Sequence, residues 1–185
     1  MCESGLEKKA AHFLLTHPKV ADLSEQPPSV VWFDAAGQRH RHTFDFLVTL
    51  KDGRKLAVAV KPKARAERHR LADVLASIAT QLPRGFADGV LLITDADLPR
   101  DLVHNSALLH HARRAPDQGL DAAVLKLAKA TSVTTIGTLV RESGRGGEAF
   151  RSVTRLIANG LIAVVGQSRI GYATPVTAAN DGEVA

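Results

Sequence analysis

Cysteine is nearly absent: Cys2 is the only one in 185 residues. A lone thiol builds no disulfide framework, so packing must hold the fold, and a reducing cytosol suits the chain. No apolar run approaches the roughly 20 residues that a membrane-crossing helix needs. The first residues are neither basic nor apolar enough for a secretory signal, and the expected location is cytoplasmic. There is no internal repeat and no low-complexity tract. Acidic residues are the minority, with 19 Asp and Glu against 24 Lys and Arg, for a formal charge of +5. The sequence pI is about 9.7. That balance favours polyanionic partners such as nucleic acid without requiring one. The hydrophobic fraction of 45% supports one core of about 100 residues and a smaller second one.

What the chain does have is a patterned stretch from Thr43 to Arg65, TFDFLVTLKDGRKLAVAVKPKAR. It reads as a β-hairpin turning at Asp52-Gly53. Turn length decides which side chains share a face. A two-residue loop sets Phe44 opposite Lys61. A three-residue loop, Lys51 to Gly53 with Gly53 left-handed, sets Phe44 opposite Val60, Phe46 opposite Val58 and Val48 opposite Leu56. Only the second register gives a continuous apolar face, because a one-residue slip buries Lys61 among phenylalanines. Asp45 then faces Ala59, with Lys61 diagonal to it. A carboxylate and a lysine converge on the side of the hairpin that faces away from the core.

The rest of the chain frames this hairpin. Ser4 to Thr16 reads as a helix, with Ser4 and Glu7 spaced as a capping box, so Glu7 has either a capping role or a role at the site. Val30 to Phe33 is a short strand. Arg39-His40-Arg41-His42 is a basic run, either a solvated edge that discourages sheet pairing or a phosphate contact. After Lys61 the residues Lys63, Arg65 and Arg68 keep the chain basic. Apolar residues from Leu71 to Leu82 recur at helical spacing. Gly89 to Thr94 fits a buried central strand, and Pro99 to Arg114 a helix. The scattered histidines, His12, His69, His110 and His111, lack metal-ligand spacing. The order of elements suits a mixed α/β sheet with helices on both faces.

Residues 115–119 look like a linker. Beyond it, three helices precede short strands at 161–165 and 172–176. That order is a winged helix-turn-helix. Its third helix, Glu148 to Asn159, is expected to bury Phe150, Val153 and Ile157 and to expose Arg151 and Arg155. With Arg169 in the wing, these are the nucleic-acid or partner contacts; DNA reading and protein docking both remain open. The domains expected are 1–115, 119–176 and a disordered tail, 177–185.

Four motifs together resemble TnsA-like transposon endonucleases of the PD-(D/E)xK superfamily: Ser4-Gly5-Leu6-Glu7, Glu25-Gln26-Pro27, Phe44-Asp45-Phe46 and Val58-Ala59-Val60-Lys61-Pro62. The resemblance covers most of residues 4–110. It implies a restriction-endonuclease-like fold, α/β with a mixed sheet flanked by helices, plus a C-terminal winged helix that docks a regulatory ATPase. It also implies Mg²⁺- or Mn²⁺-dependent cleavage of one DNA strand at transposon ends, alongside a DDE transposase and an AAA+ ATPase regulator. By the same resemblance Glu7, Asp45, the residue at 59 and the Val60 carbonyl hold the metal, and Lys61 orients water or steadies the phosphate. The chain departs from the pattern at two positions. Phe44 replaces a proline. Ala59 replaces an acidic or amide ligand, whether by natural loss or by deliberate replacement of a glutamate. Metal affinity and cleavage are therefore expected to fall, unless a carboxylate from the following helix, Glu67 or Asp73, takes over. The alternative is a non-catalytic DNA-binding or assembly protein.

Overall fold

A computed structural model describes residues 5–113, 116–166 and 168–179. The chain divides into two compact units between Pro99 and Arg100. Among the described residues there are seven α-helices, and the first unit contains a mixed sheet.

The first unit opens with helix α1 (Gly5–Thr16). Ser4, and with it the expected cap, lies outside the described residues. Strands β1 (Val20–Glu25), β4 (Phe46–Leu50), β5 (Lys55–Val60) and β6 (Gly89–Ile93) form a sheet in the order β1-β4-β5-β6. The first two pairings are antiparallel and β5-β6 is parallel. A separate ribbon is made by β2 (Val30–Phe33) and β3 (Arg39–His42). Helices α2 (Lys63–Arg68) and α3 (Leu71–Ala79) connect β5 to β6, as a parallel connection requires.

The hairpin register is the expected one at its centre: Phe46 pairs with Val58 and Val48 with Leu56. The loop is Lys51 to Gly53, closed by Leu50 N–H to the Arg54 carbonyl at 2.8 Å. Gly53 has φ +87°, a conformation costly to residues with a Cβ.

The register breaks at Asp45. Its N–H donates to the Val58 carbonyl at 2.9 Å, which pairs Asp45 one position out of step. Phe44 therefore does not join Phe46 and Val48. It is buried with Val30, Ala57, Ala59, Leu75 and Ile78, against α3. This corrects the expectation of one core face and one open face. Residues 57–60 of β5 are all buried, as in a strand covered on both sides. Strand β6, expected in the centre of the sheet, lies at its edge, with Leu91 exposed.

The second unit comprises α4 (Arg100–Ala112), α5 (Gln118–Lys129), α6 (Ile136–Ser143) and α7 (Gly146–Ala158), with a sheet in the order β7-β9-β8. Its strands are β7 (Thr134–Thr135), β8 (Ile162–Val164) and β9 (Pro175–Ala178). Asp117 caps α5 and Thr135 caps α6, each accepting from a backbone N–H three residues on. Asn159 ends α7, followed by Gly160 at φ +73°. The linker expected at residues 115–119 places α4 with the nuclease-like domain. Its Leu108 and Leu109 instead pack on the core of the second unit, beside Val124, Val153 and Leu156. Strand β9 includes residues 177 and 178 of the expected tail; residues 180–185 lie outside the described residues.

Arg155 is not a surface contact. It is 5% exposed, and its Nε and a terminal nitrogen donate to the two Asp121 oxygens at 2.9 and 2.6 Å. Ser152 Oγ donates to the same carboxylate at 2.5 Å. Helical spacing put Arg155 near Arg151 on an outer face, but α5 packs there and supplies the counter-ion. Arg151 is exposed, as expected.

Burial works to raise the Asp121 pKa, but hydrogen bonds from Arg155 and Ser152 and the guanidinium charge outweigh it, and the net shift is downward. A folded-state pKa below the unfolded value gives stability that is present above pH ~4 and lost as pH falls through the folded pKa. Arg155→Ala is expected to cost roughly 3–5 kcal/mol, because it strands a largely buried carboxylate. Urea unfolding at pH 7 and at pH 3 checks this, and the variant's deficit should shrink at the lower pH. Gly53→Ala is expected to cost about 1 kcal/mol, read as a lower urea midpoint with unchanged slope.

Candidate nuclease-like site

Asp45 sits where β4 ends and the chain bends. Its Oδ2 accepts from the Val60 N–H at 2.7 Å. The carboxylate thus does the work of a missing ladder carbonyl and ties the bend to the far end of β5. Beyond Val60, the Lys61 N–H donates to the Ile93 carbonyl at 3.0 Å, leaving the Lys61 side chain half-buried at the sheet's end.

The ring of His42 enters the same neighbourhood. It stands edge-on to Phe44, with ring centroids 4.7 Å apart and planes at 74°. Burial lowers its pKa; the Asp45 charge opposes that and the Lys61 charge adds to it. Its Nε2 is buried with no hydrogen-bond partner. Sequence reasoning treated His42 as one member of a basic run. The overlooked signal was alternation: His42 pairs with Val30 and His40 with Trp32, on the inner face of the ribbon, while Arg39 and Arg41 point outward.

Position 59 offers no ligand. Ala59 is 1% exposed and lies in the same apolar cluster as the fully buried Phe44. The two departures from the nuclease pattern are therefore neighbours in one core. Glu7 is half-buried in the first turn of α1. Among the described residues no group of three or more His, Cys, Asp or Glu side chains is placed to hold a metal ion. The donor set, Asp45 with one oxygen already engaged and a methyl at 59, does not fit a complete hydrolytic metal centre, since Mg²⁺ demands several oxygen ligands in near-octahedral array.

The following helices do not supply a substitute. Glu67 pairs with Lys63 Nζ at 3.8 Å and Asp73 with Arg70 Nε at 2.8 Å. Both line a groove with Thr94 and Asp97, a groove that does not include Asp45. The Lys63 N–H is held by Asp95 Oδ1 at 2.6 Å, and Arg65 and Arg68 are exposed on α2. In the second unit a terminal nitrogen of Arg169 lies 3.2 Å from His104 Nδ1 on α4.

An antiparallel hairpin extended by a parallel strand, with Asp45 and Lys61 at one end, is compatible with a nuclease-like α/β fold. Residues 17–85 match the family described as TnsA-like endonuclease N terminal. The resemblance to TnsA-like endonucleases thus holds over residues 17–85, within the first unit. The matched stretch runs from β1 to beyond α3 and includes Asp45, Ala59 and Lys61; Glu7 lies before it. No curated protein matches the chain.

Ala59→Glu places a carboxylate inside the Phe44–Leu75–Ile78 cluster. In the presence of EDTA it is expected to lower stability by at least about 2 kcal/mol, measured by urea denaturation at neutral pH. Asp45→Ala removes the acceptor from a buried N–H and is expected to cost roughly 1–3 kcal/mol, with Asp45→Asn recovering much of it.

Proposed function

We propose that this chain is a TnsA-like component of a DNA transposition system, working at transposon-end DNA, whose cleavage centre is impaired. The observation that carries the reading is the site itself. Asp45 and Lys61 stand at the end of a nuclease-like hairpin, inside a stretch that matches the TnsA-like family, while Ala59 replaces the ligand between them. Divalent cations, Mg²⁺ or Mn²⁺, bind weakly here. The working partners are DNA, a DDE transposase and an AAA+ ATPase regulator. The methyl at 59, buried in the Phe44 cluster, favours service in DNA binding and assembly over efficient strand cleavage.

The second unit is a winged helix-turn-helix: α5, α6 and α7, then the strands β8 and β9 around residues 165–174. Protein docking is the reading favoured for it. Residues 152–156 of α7 are buried in succession, so the helix has little free face to lay in a groove. Arg155 is committed to Asp121. Helix α4 occupies the wing: Asn105 donates to the Ser168 carbonyl at 2.9 Å and accepts from the Ile170 N–H at 2.8 Å.

The test is nicking of supercoiled plasmid and of transposon-end DNA in Mg²⁺ or Mn²⁺, with the transposase and ATPase partners present. The chain is compared with Ala59→Glu, at a temperature where circular dichroism finds both folded. Cleavage by Ala59→Glu at least tenfold above the parent, abolished again by Asp45→Ala, is expected. Equal cleavage by parent and Ala59→Glu overturns the assigned impairment, and no DNA binding by either overturns the assignment to transposon ends.

A further inference from the structure

The β2-β3 ribbon leaves the main sheet between two neighbouring strands and presents two unlike faces. Val30, Trp32, His40 and His42 share the inner one, where Trp32 and His40 stack with centroids 4.9 Å apart. The outer face carries Val31, Phe33, Arg39 and Arg41. Phe33 is 49% exposed, both arginines are exposed, and among the described residues neither arginine has an ion-pair partner. No acidic side chain stands on that face.

The ribbon is held rigid at both ends. At its base Ser29 and Thr43 share a hydroxyl hydrogen bond at 2.8 Å. At its tip Asp34 Oδ1 accepts from the Ala36 and Gln38 N–H groups, each at 2.9 Å, and Oδ2 lies 2.8 Å from His40 Nε2. The one carboxylate near the tip is thus occupied. Gln81, just beyond α3, grips the strand: its Oε1 accepts from the Phe33 N–H and its Nε2 donates to the Phe33 carbonyl, both at 2.9 Å. The Cα atoms of two arginines on alternate residues of a strand sit about 6.7 Å apart, and the backbone that carries them has little ordering entropy left to lose on binding.

We propose that the outer face of the β2-β3 ribbon is a nucleic-acid contact surface, in which Arg39 and Arg41 clamp successive phosphates of one DNA strand. Guanidinium groups suit phosphate oxygens through paired N–H donors. The same strand carries His42 on its other face, where the Asp45 and Lys61 charges reach it, so the proposed contact lies on the element that adjoins the nuclease-like site. The inference rests on the proposed DNA partner and adds to it the element that holds the duplex.

The experiment is fluorescence-anisotropy binding of a labelled 30-base-pair duplex to the full chain across a salt series. The parent is compared with Arg39→Gln/Arg41→Gln and with Lys51→Gln/Lys55→Gln, which removes equal charge near the opposite end of the β4-β5 hairpin. Each lost phosphate contact lowers the log–log salt slope by about 0.9. The ribbon variant is expected to lose close to two such steps, with affinity down at least tenfold at low salt, and the control variant less than half of that. If the parent binds and the ribbon variant matches it in slope and affinity, the ribbon does not hold DNA, and an acidic protein surface is the partner to pursue. Equal losses in the two variants reduce the effect to net charge and overturn the assignment. If the parent binds no duplex, the DNA reading itself falls, a result distinguishable from failure of the ribbon alone.

Discussion

Strand β5 is paired on both edges and covered on both faces, and the rest of the first unit is arranged around that fact. An antiparallel neighbour on one side and a parallel one on the other leave its backbone no freedom to shift register. Its side chains from 57 to 60 meet apolar neighbours on both faces. Any polar group in this segment must therefore lie at its open end or bring its own partner. Asp45 and Lys61 comply with the first condition, because one sits at a bend and the other just past the last buried residue. A carboxylate at 59 meets neither condition, and the methyl found there is the residue that costs least.

The two departures from the nuclease pattern lie in one buried cluster. A large ring at 44 and a methyl at 59 are complementary volumes in one cluster, and close-packed interiors penalise changes in volume made one residue at a time. Changing one without the other opens a void or forces an overlap. Position 59 is core in this chain, while Asp45 stands at the bend and Lys61 just past the last buried residue of β5.

Much of this was legible in the sequence. The three-residue turn followed from apolar alternation, since only one register kept Lys61 away from the phenylalanines. Helix caps at Thr135 and Asn159-Gly160 were readable from residue type alone. Other features rested on partners that no local pattern names. Strand β1 was missed because Val20 to Glu25 is an edge segment with no clean alternation. Phe44 changed faces because the Asp45 N–H took a bond one position out of register, which a regular alternation does not foresee. Helical spacing makes Arg155 read as exposed, because it says nothing about a neighbouring helix that supplies Asp121. His42 was hidden in a charged run whose alternate members turn opposite ways.

Glu25 and Phe46 are register partners, so the chain leaves the sheet and returns to it at a single point. Everything between them is one excursion, closed at its neck by the Gln26 N–H donating to the Asp45 carbonyl at 3.0 Å. Such a segment is modular. A chain that keeps Val30 and Phe44 for the core can lengthen, shorten or recharge the projecting part without disturbing a pairing elsewhere in the sheet. The surface of the excursion can therefore change at little cost to folding, while the strands beneath stay constant.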